Sequence, residues 1–308
     1  MKKEIIEKVI RNVDGKEIQV YQVTTTDERW YTMQKLSDID GMPFIKFRPS
    51  VTWITSFVYK GVEFYKWLAS KGWDEAERIK VEAGDKGSKI HNAIDNLIKG
   101  ATVKMDDKLA SGVTEDLTEL NPEEYQAVNS FVQWYKDFKP EFILNEVTVE
   151  SDKYDFAGTV DCVCRIGEQV WIIDWKSSQY IWPSMNAQLA AYKQAFKEMG
   201  RKVDDVKLAI LQVGYKKNKK GYKFTEIQDC FEELFRPAQA FWSLATKNQS
   251  PHQYELPLEL KLDLPKKEEV KEEKPVTKEK KEVLKNSVIK VEKKVKEKKP
   301  KKINKKKI

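Results

Sequence analysis

Three charged residues stand in a pair of β-rich runs: Asp161 in FAGTVDCVCRI, and Asp174 and Lys176 in QVWIIDWK, with Gly167 and Glu168 between the runs. Strand side chains alternate, so Asp174 and Lys176 project from one face while Trp175 points the other way. A turn over Arg165 to Gln169 closes an antiparallel hairpin and brings Asp161 beside them. Two carboxylates that close repel unless a cation sits between them, and oxygen ligation suits magnesium, which takes few protein ligands and keeps several waters. A neighbouring lysine then acts on the attacking water or on the charge of a phosphate. This is equipment for metal-assisted phosphodiester hydrolysis. Taken alone, Asp-x-Lys more often marks surface carboxylates and a cross-strand ion pair.

Further polar residues at definite offsets change that balance. Gln188 and Tyr192 are four apart, on one face of the helix that MNAQLAAYKQAFKEM predicts. Gly87 and His91 open another helical pattern, and Glu146 lies in the strand FILNEVTVE, twelve residues before Gly158. The strings PSVT at 49–52, GxxxH at 87–91, the Glu twelve residues before the glycine of GTVD, the DCV that ends that run, IDWKSS at 173–178 and QLAAY at 188–192 occur in this order. Together they resemble the RecB-like branch of the PD-(D/E)xK nucleases, in particular the mitochondrial genome maintenance exonuclease and related phage exonucleases. Val160 stands where the family name has proline.

The resemblance implies a role for each matching residue. Asp161 and Asp174 ligate Mg2+ or Mn2+ with the backbone carbonyl of Trp175. His91 joins the metal site from a helix packed across the sheet, and Glu146 completes it, with Glu150 as the fallback. Lys176 positions or helps deprotonate the attacking water, Gln188 aligns the phosphate or the lysine, and Tyr192 supports Gln188. By position alone, Asp95, one turn after His91, is a candidate to orient the imidazole. Ser50 and Thr52, at a helix start, hold a phosphate, with Lys46 and Arg48 beside them on the DNA.

The remaining elements follow from patterning. Residues 3–23 read as a hairpin turning at Asp14-Gly15. One helix runs from Ser50 through WITSFVYKGVEFYKWLASKG; its Trp53, Phe57, Tyr59, Phe64, Tyr65 and Trp67 are expected mostly in the core, the alternative being base stacking with Lys60 and Lys66 interleaved. Lys86 to Lys99 is helical, and residues 100–120 form an exposed loop. Asn121 caps a packing helix opened by Pro122. Ser184 caps the Gln188 helix and Gly200 closes it. The runs 206–213 and 222–227 form a second hairpin, and a helix from Asp229 to Thr246, kinked at Pro237, completes the domain. His252 falls in a loop.

Charge is unevenly distributed. The net charge is +7 over 308 residues, but residues 266–308 hold 19 Lys and 8 Glu, a net of +11, leaving −4 on residues 1–265. The tail composition of Lys, Glu and Val offers little apolar surface to bury and reads as disordered, with nonspecific, salt-dependent affinity for nucleic acid. Cys162, Cys164 and Cys230 are too few for a disulfide framework, and no iron-sulfur cluster is expected. Without a targeting or membrane-spanning run the chain is expected in the cytoplasm of a bacterial or phage-infected cell.

The expected architecture is an α/β restriction-endonuclease-like core with a mixed central sheet flanked by helices. It comprises an N-terminal wrapping segment over 1–48, a RecB-like nuclease domain over 49–265 and the basic tail over 266–308. The expected function is a Mg2+- or Mn2+-dependent deoxyribonuclease, a single-strand exonuclease of DNA replication, recombination or repair. Its partners would be DNA ends and replication or recombination proteins, with no membrane. The alternatives are a structure-selective endonuclease and a noncatalytic DNA-binding protein on the same fold.

Overall fold

The computed structural model describes residues 4–11, 17–24, 28–32, 46–111, 114–247 and 250–251. The Asp14-Gly15 turn, His252 and the basic tail lie outside the described residues. The chain divides into two units, Met1–Leu256 and Pro257–Ile308, and the sheets, helices and site all belong to the first.

The hairpin carrying Asp161 and Asp174 is its centre. β8 (Phe156–Ile166) and β9 (Gln169–Lys176) pair antiparallel from Ile166–Gln169 to Cys162–Ile173. Gly167, at φ 60°, takes the first of the two turn positions, where a side chain would be strained. β7 (Glu141–Ser151) pairs antiparallel with β8. β10 (Lys207–Val213) runs parallel to β9, and β11 (Tyr222–Ile227) closes the far edge. The result is a mixed five-stranded sheet in the order β11-β10-β9-β8-β7. A parallel neighbour requires a crossover, which is α5 (Pro183–Glu198).

Alternation along the strands gives the sheet two apolar faces. Ile172, Val160 and Val163 pack with Leu189 and Tyr192 of α5, Ile54 of α1 (Val51–Thr55) and Trp242 of α6 (Arg236–Thr246). Cys162, Cys164, Ile173 and Trp175 pack on the other side with Ile90 and Ile94 of α3 (Trp73–Ile98) and Phe131 and Trp134 of α4 (Pro122–Phe138). Helices flank both faces, as expected for a restriction-endonuclease-like α/β fold. The cysteine thiols are free and Cys162 and Cys164 are fully buried. A second, antiparallel sheet consists of β1 (Glu4–Arg11), β2 (Glu17–Thr24), β3 (Arg29–Thr32) and β4 (Arg48–Pro49), and β1 and β2 are the N-terminal hairpin. Its Trp30 enters the main core edge-on to Trp53 and Trp242, with centroids 5.2 and 6.0 Å away.

Several local expectations are corrected. The helix expected from Ser50 to Gly72 is two: α1 ends at Thr55, and α2 (Val62–Lys71) begins after Gly61, which sits at φ 79° and breaks the run. The helix bearing His91 begins at Trp73 rather than Lys86. Residues 100–120 include a hairpin, β5 (Lys108–Ser111) with β6 (Thr114–Glu119), where the sequence had no period to show it. Pro183, not a residue after Ser184, opens α5. Asn121 caps α4 with a full capping box to Glu124. The last helix enters through a π-turn over Phe231–Phe235.

Candidate active site

The β8–β9 ladder stops at Cys162 and Ile173. Beyond that point the two strands leave each other, and side chains take over the exposed backbone groups. The Trp175 N–H donates to Asp161 Oδ2 at 2.8 Å, and the Trp175 carbonyl lies 3.0 Å from His91 Nε2. A carbonyl only accepts, so His91 Nε2 carries a proton. Its other nitrogen, Nδ1, lies 3.6 Å from Asp161 Oδ1. α3 sets this position, since Ile90, Ala93 and Ile94 are buried and hold His91 toward the sheet.

Asp174, 1% exposed, is the most enclosed charge of the site. Lys176 Nζ lies 2.6 Å from its Oδ2, although that oxygen has no aligned hydrogen bond. Gln188 organises the other side: its Nε2 donates to Asp174 Oδ1 at 3.1 Å and to the Tyr192 hydroxyl at 2.9 Å, and its Oε1 accepts from Lys176 at 3.4 Å. The i, i+4 spacing puts Gln188 and Tyr192 on the buried face of α5. That helix reaches β8 because of Gly158, where a Cβ would lie 2.6 Å from the Tyr192 ring and 3.2 Å from Val51.

Glu146 comes from the edge strand in an unusual way. It has φ 48°, the left-handed region, although its neighbours Asn145 and Val147 stay in register with Cys162 and Val160. Ligand atoms of Glu146, His91 and Asp161 all lie within 4.8 Å of one another. Asp95 does not orient the imidazole as expected. It accepts from the Asn145 side chain and pairs with Lys99 at 2.6 Å, tying α3 to the residue before the strained one. Sequence reading missed Asn145, and only the positive φ beside it marks it.

Burial and charge shape the protonation of this group. Burial opposes a charged His91, yet the Asp161 carboxylate lifts its pKa to about 9. Burial raises Asp174 to about 6 against the pull of Lys176. Burial also works against the Lys176 ammonium, but Asp174 and Asp161 raise its pKa above the usual lysine value. Burial would raise Asp161 too, and His91 and Lys176 outweigh it, so its pKa is lowered. Three carboxylates converge here on two basic groups. The arrangement fits a divalent cation: one nitrogen and two carboxylate donors stand within reach of a common point, and Asp174 Oδ2 is a buried oxygen without an aligned donor.

The residues expected near DNA lie differently. Arg48, 6% exposed, is paired with Glu150 at 2.9 Å and with Asp152, and Lys46 with Asp152 and Asp155 at 3.2 Å. Their charges are neutralised by the protein's own carboxylates, and Glu150 is drawn to Arg48 rather than to the metal-type cluster. Ser50 is buried and caps α1 by accepting from the Trp53 N–H at 3.1 Å. Thr52 is exposed, its Oγ1 3.1 Å from Ser50 Oγ.

Comparison with curated proteins finds no match to the chain. The family model of the PD-(D/E)XK nuclease superfamily, however, matches residues 64–259, from α2 past the end of α6, and so includes His91, Glu146, Asp161, Asp174, Lys176, Gln188 and Tyr192. By that match, which covers more than half of its length, the chain belongs to the PD-(D/E)XK nuclease superfamily.

Proposed function

We propose that the protein is a Mg2+- or Mn2+-dependent deoxyribonuclease that hydrolyses phosphodiester bonds, acting as an exonuclease on single-stranded ends in DNA replication, recombination or repair. The observation that carries the reading is the convergence of Asp161, Asp174, Lys176 and His91 where β8 and β9 part, with Gln188 bridging Asp174 and Lys176. His91 through Nδ1, Glu146 and Asp161 would hold the cation, with Asp174 beside them. The imidazole nitrogen among the donors favours Mn2+ more than an all-oxygen site would. When bound, the ion supplies a Lewis acid for the phosphate and an acidified water. The Trp175 carbonyl fixes the His91 tautomer, and this is its first duty here.

Lys176 remains an ammonium at neutral pH because both aspartates raise its pKa. It therefore acts as a cation that offsets charge on the phosphate as water attacks phosphorus and the bond to the leaving oxygen breaks. Gln188 holds the ammonium toward Asp174 and keeps the two charges in register. The preference for single-stranded ends rests on the resemblance of the motif order to that of the mitochondrial and phage exonucleases.

Linear single-stranded DNA labelled at its 5′ or 3′ end, incubated with Mg2+, Mn2+ or EDTA, tests the reading. Metal-dependent release from one end is expected, with closed single-stranded circles left whole. Cut circles would replace the exonuclease by an endonuclease. Lys176→Ala should abolish cleavage while DNA binding persists, and undiminished turnover in that variant would refute the assignment of Lys176.

A further inference from the structure

Between Tyr59 and Gly84 the chain leaves the body: Ala76 is the one buried residue of this stretch. The segment contains α2 and the first half of α3, and α2 has no buried residue at all. The aromatic residues expected in the core divide, with Phe64 and Trp67 half-buried between the extremes, and Trp73, at the start of α3, joins the exposed ones. Trp53 and Phe57 pack against the core. Tyr59 is 67% exposed, Tyr65 51% and Trp73 68%. Apolar rings on a helix normally seek a covering surface, and this helix rests on α3 alone among the helices and strands it meets appreciably.

We propose that these rings form a stacking platform for the bases of a single DNA strand on its way to the active site. This rests on the nuclease function proposed for the site and names the route of its substrate. Tyr59 and the rings of α2 form one contacting aromatic cluster: Tyr59 and Tyr65 have centroids 6.2 Å apart, and Phe64 lies 5.5 Å from Tyr65 and 5.8 Å from Trp67, with Trp73 at the head of the next helix. Cations are interleaved with them. Lys60 lies over the Phe64 ring at 4.7 Å, and Lys71 stands in the last turn of α2, where its charge also acts on Glu75. Aromatic faces with cations between them match a strand that offers a base face and a phosphate at every step.

Position supports the same occupant. α3 is one unbroken helix, so the rod that carries Trp73 also carries His91, about 27 Å further along at 1.5 Å per residue. A strand lying on α2 is thereby indexed to the site. A second copy of this chain is the competing occupant. The core of a stable dimer interface is depleted in charge, whereas Lys60, Glu63 and Lys66 interrupt this surface, with Lys66 and Glu63 paired at 2.8 Å on it.

The test compares the full-length protein with a Tyr59→Ala, Tyr65→Ala, Trp73→Ala variant. Binding of fluorescein-labelled oligothymidylate in EDTA should weaken by at least roughly tenfold, since a stacked base contributes more than that figure when several rings are lost. The slope of log affinity against log salt should stay the same, because no phosphate contact is removed. Hydrolysis of bis(p-nitrophenyl) phosphate, which needs only the site, should be unchanged. Trp73→Phe keeps a ring and should retain wild-type binding, which guards against a general structural loss. Equal affinity in the triple variant overturns the proposal. So does loss of small-ester hydrolysis in that variant, or a concentration-dependent dimer that it abolishes with DNA binding intact. If the wild type cleaves nothing but the affinity loss persists, the nuclease function falls and the platform stands.

Discussion

Glu146 gives the most direct test of how the site is held. Its φ of 48° puts a side-chain-bearing residue in the left-handed region in the middle of a strand, at about 1–2 kcal/mol. Its carboxylate also stands within 4.8 Å of the Asp161 carboxylate. At an effective dielectric of about 20 that repulsion is roughly 3 kcal/mol, and the His91 cation, within the same distance, offsets about as much. Replacing Glu146 by Gly therefore acts mainly by removing the strain, against about 0.5–1 kcal/mol for the greater freedom of glycine in the unfolded chain. The metal-free variant should be more stable than wild type by about 0.5–1 kcal/mol. In thermal unfolding with EDTA this is a rise of about 2–4 °C per kcal/mol for a domain of this size.

Glu146→Ala serves as the control, because it removes the same charge but leaves a Cβ at positive φ. Gly should exceed Ala by about 1 kcal/mol. With Mn2+ the order reverses in one respect: wild type should gain stability from the ion and both variants should gain much less. An Ala variant as stable as the Gly variant in EDTA would refute the strain argument. A glycine variant that unfolds below wild type there would refute the site's cost altogether.

The same geometry sets two further outcomes. Because the His91 pKa is held at about 9, a cation must displace its proton, so Mn2+ affinity should rise about tenfold per pH unit from pH 6 to 9 and more steeply below 6, where Asp174 also protonates. Both folded-state pKa values lie above their unfolded values, so without metal the Asp174 contribution to stability is full below about 4 and lost through about 6, and that of His91 is full below about 6.5 and lost through about 9. The Mn2+-induced shift in melting temperature should therefore grow with pH, and a shift that is flat between pH 6 and 9 would be the contrary result. Gly158→Ala places a methyl group 2.6 Å from the Tyr192 ring. It should destabilise the fold by about 1–3 kcal/mol and lower turnover by moving Gln188. Circular dichroism melts and cleavage assays on the one variant check both.

Much of this protein is written locally. Alternation over Gln169–Lys176 puts Asp174 and Lys176 on one face, and the glycine turn fixes the register that brings Asp161 to the end of the ladder, because the period of a strand is two. The i, i+4 pair Gln188 and Tyr192 and the Asn121 cap of α4 are equally short-range, and each appears as the residues dictate. What the tertiary structure decided is how separated elements meet. The sequence does not show what pairs with Arg48, and it is the strand carrying Glu150 that passes beside it and shares its charge. Asp95 could have served His91, but Asn145 arrives from β7 and claims it. The left-handed turn at Glu146 leaves no mark in FILNEVTVE, since no glycine is there to signal it. The rings of Tyr59, Tyr65 and Trp73 show the limit most clearly: hydrophobicity states that a side chain gains by leaving water, whereas burial also requires an opposing surface, and only the folded chain determines where one exists.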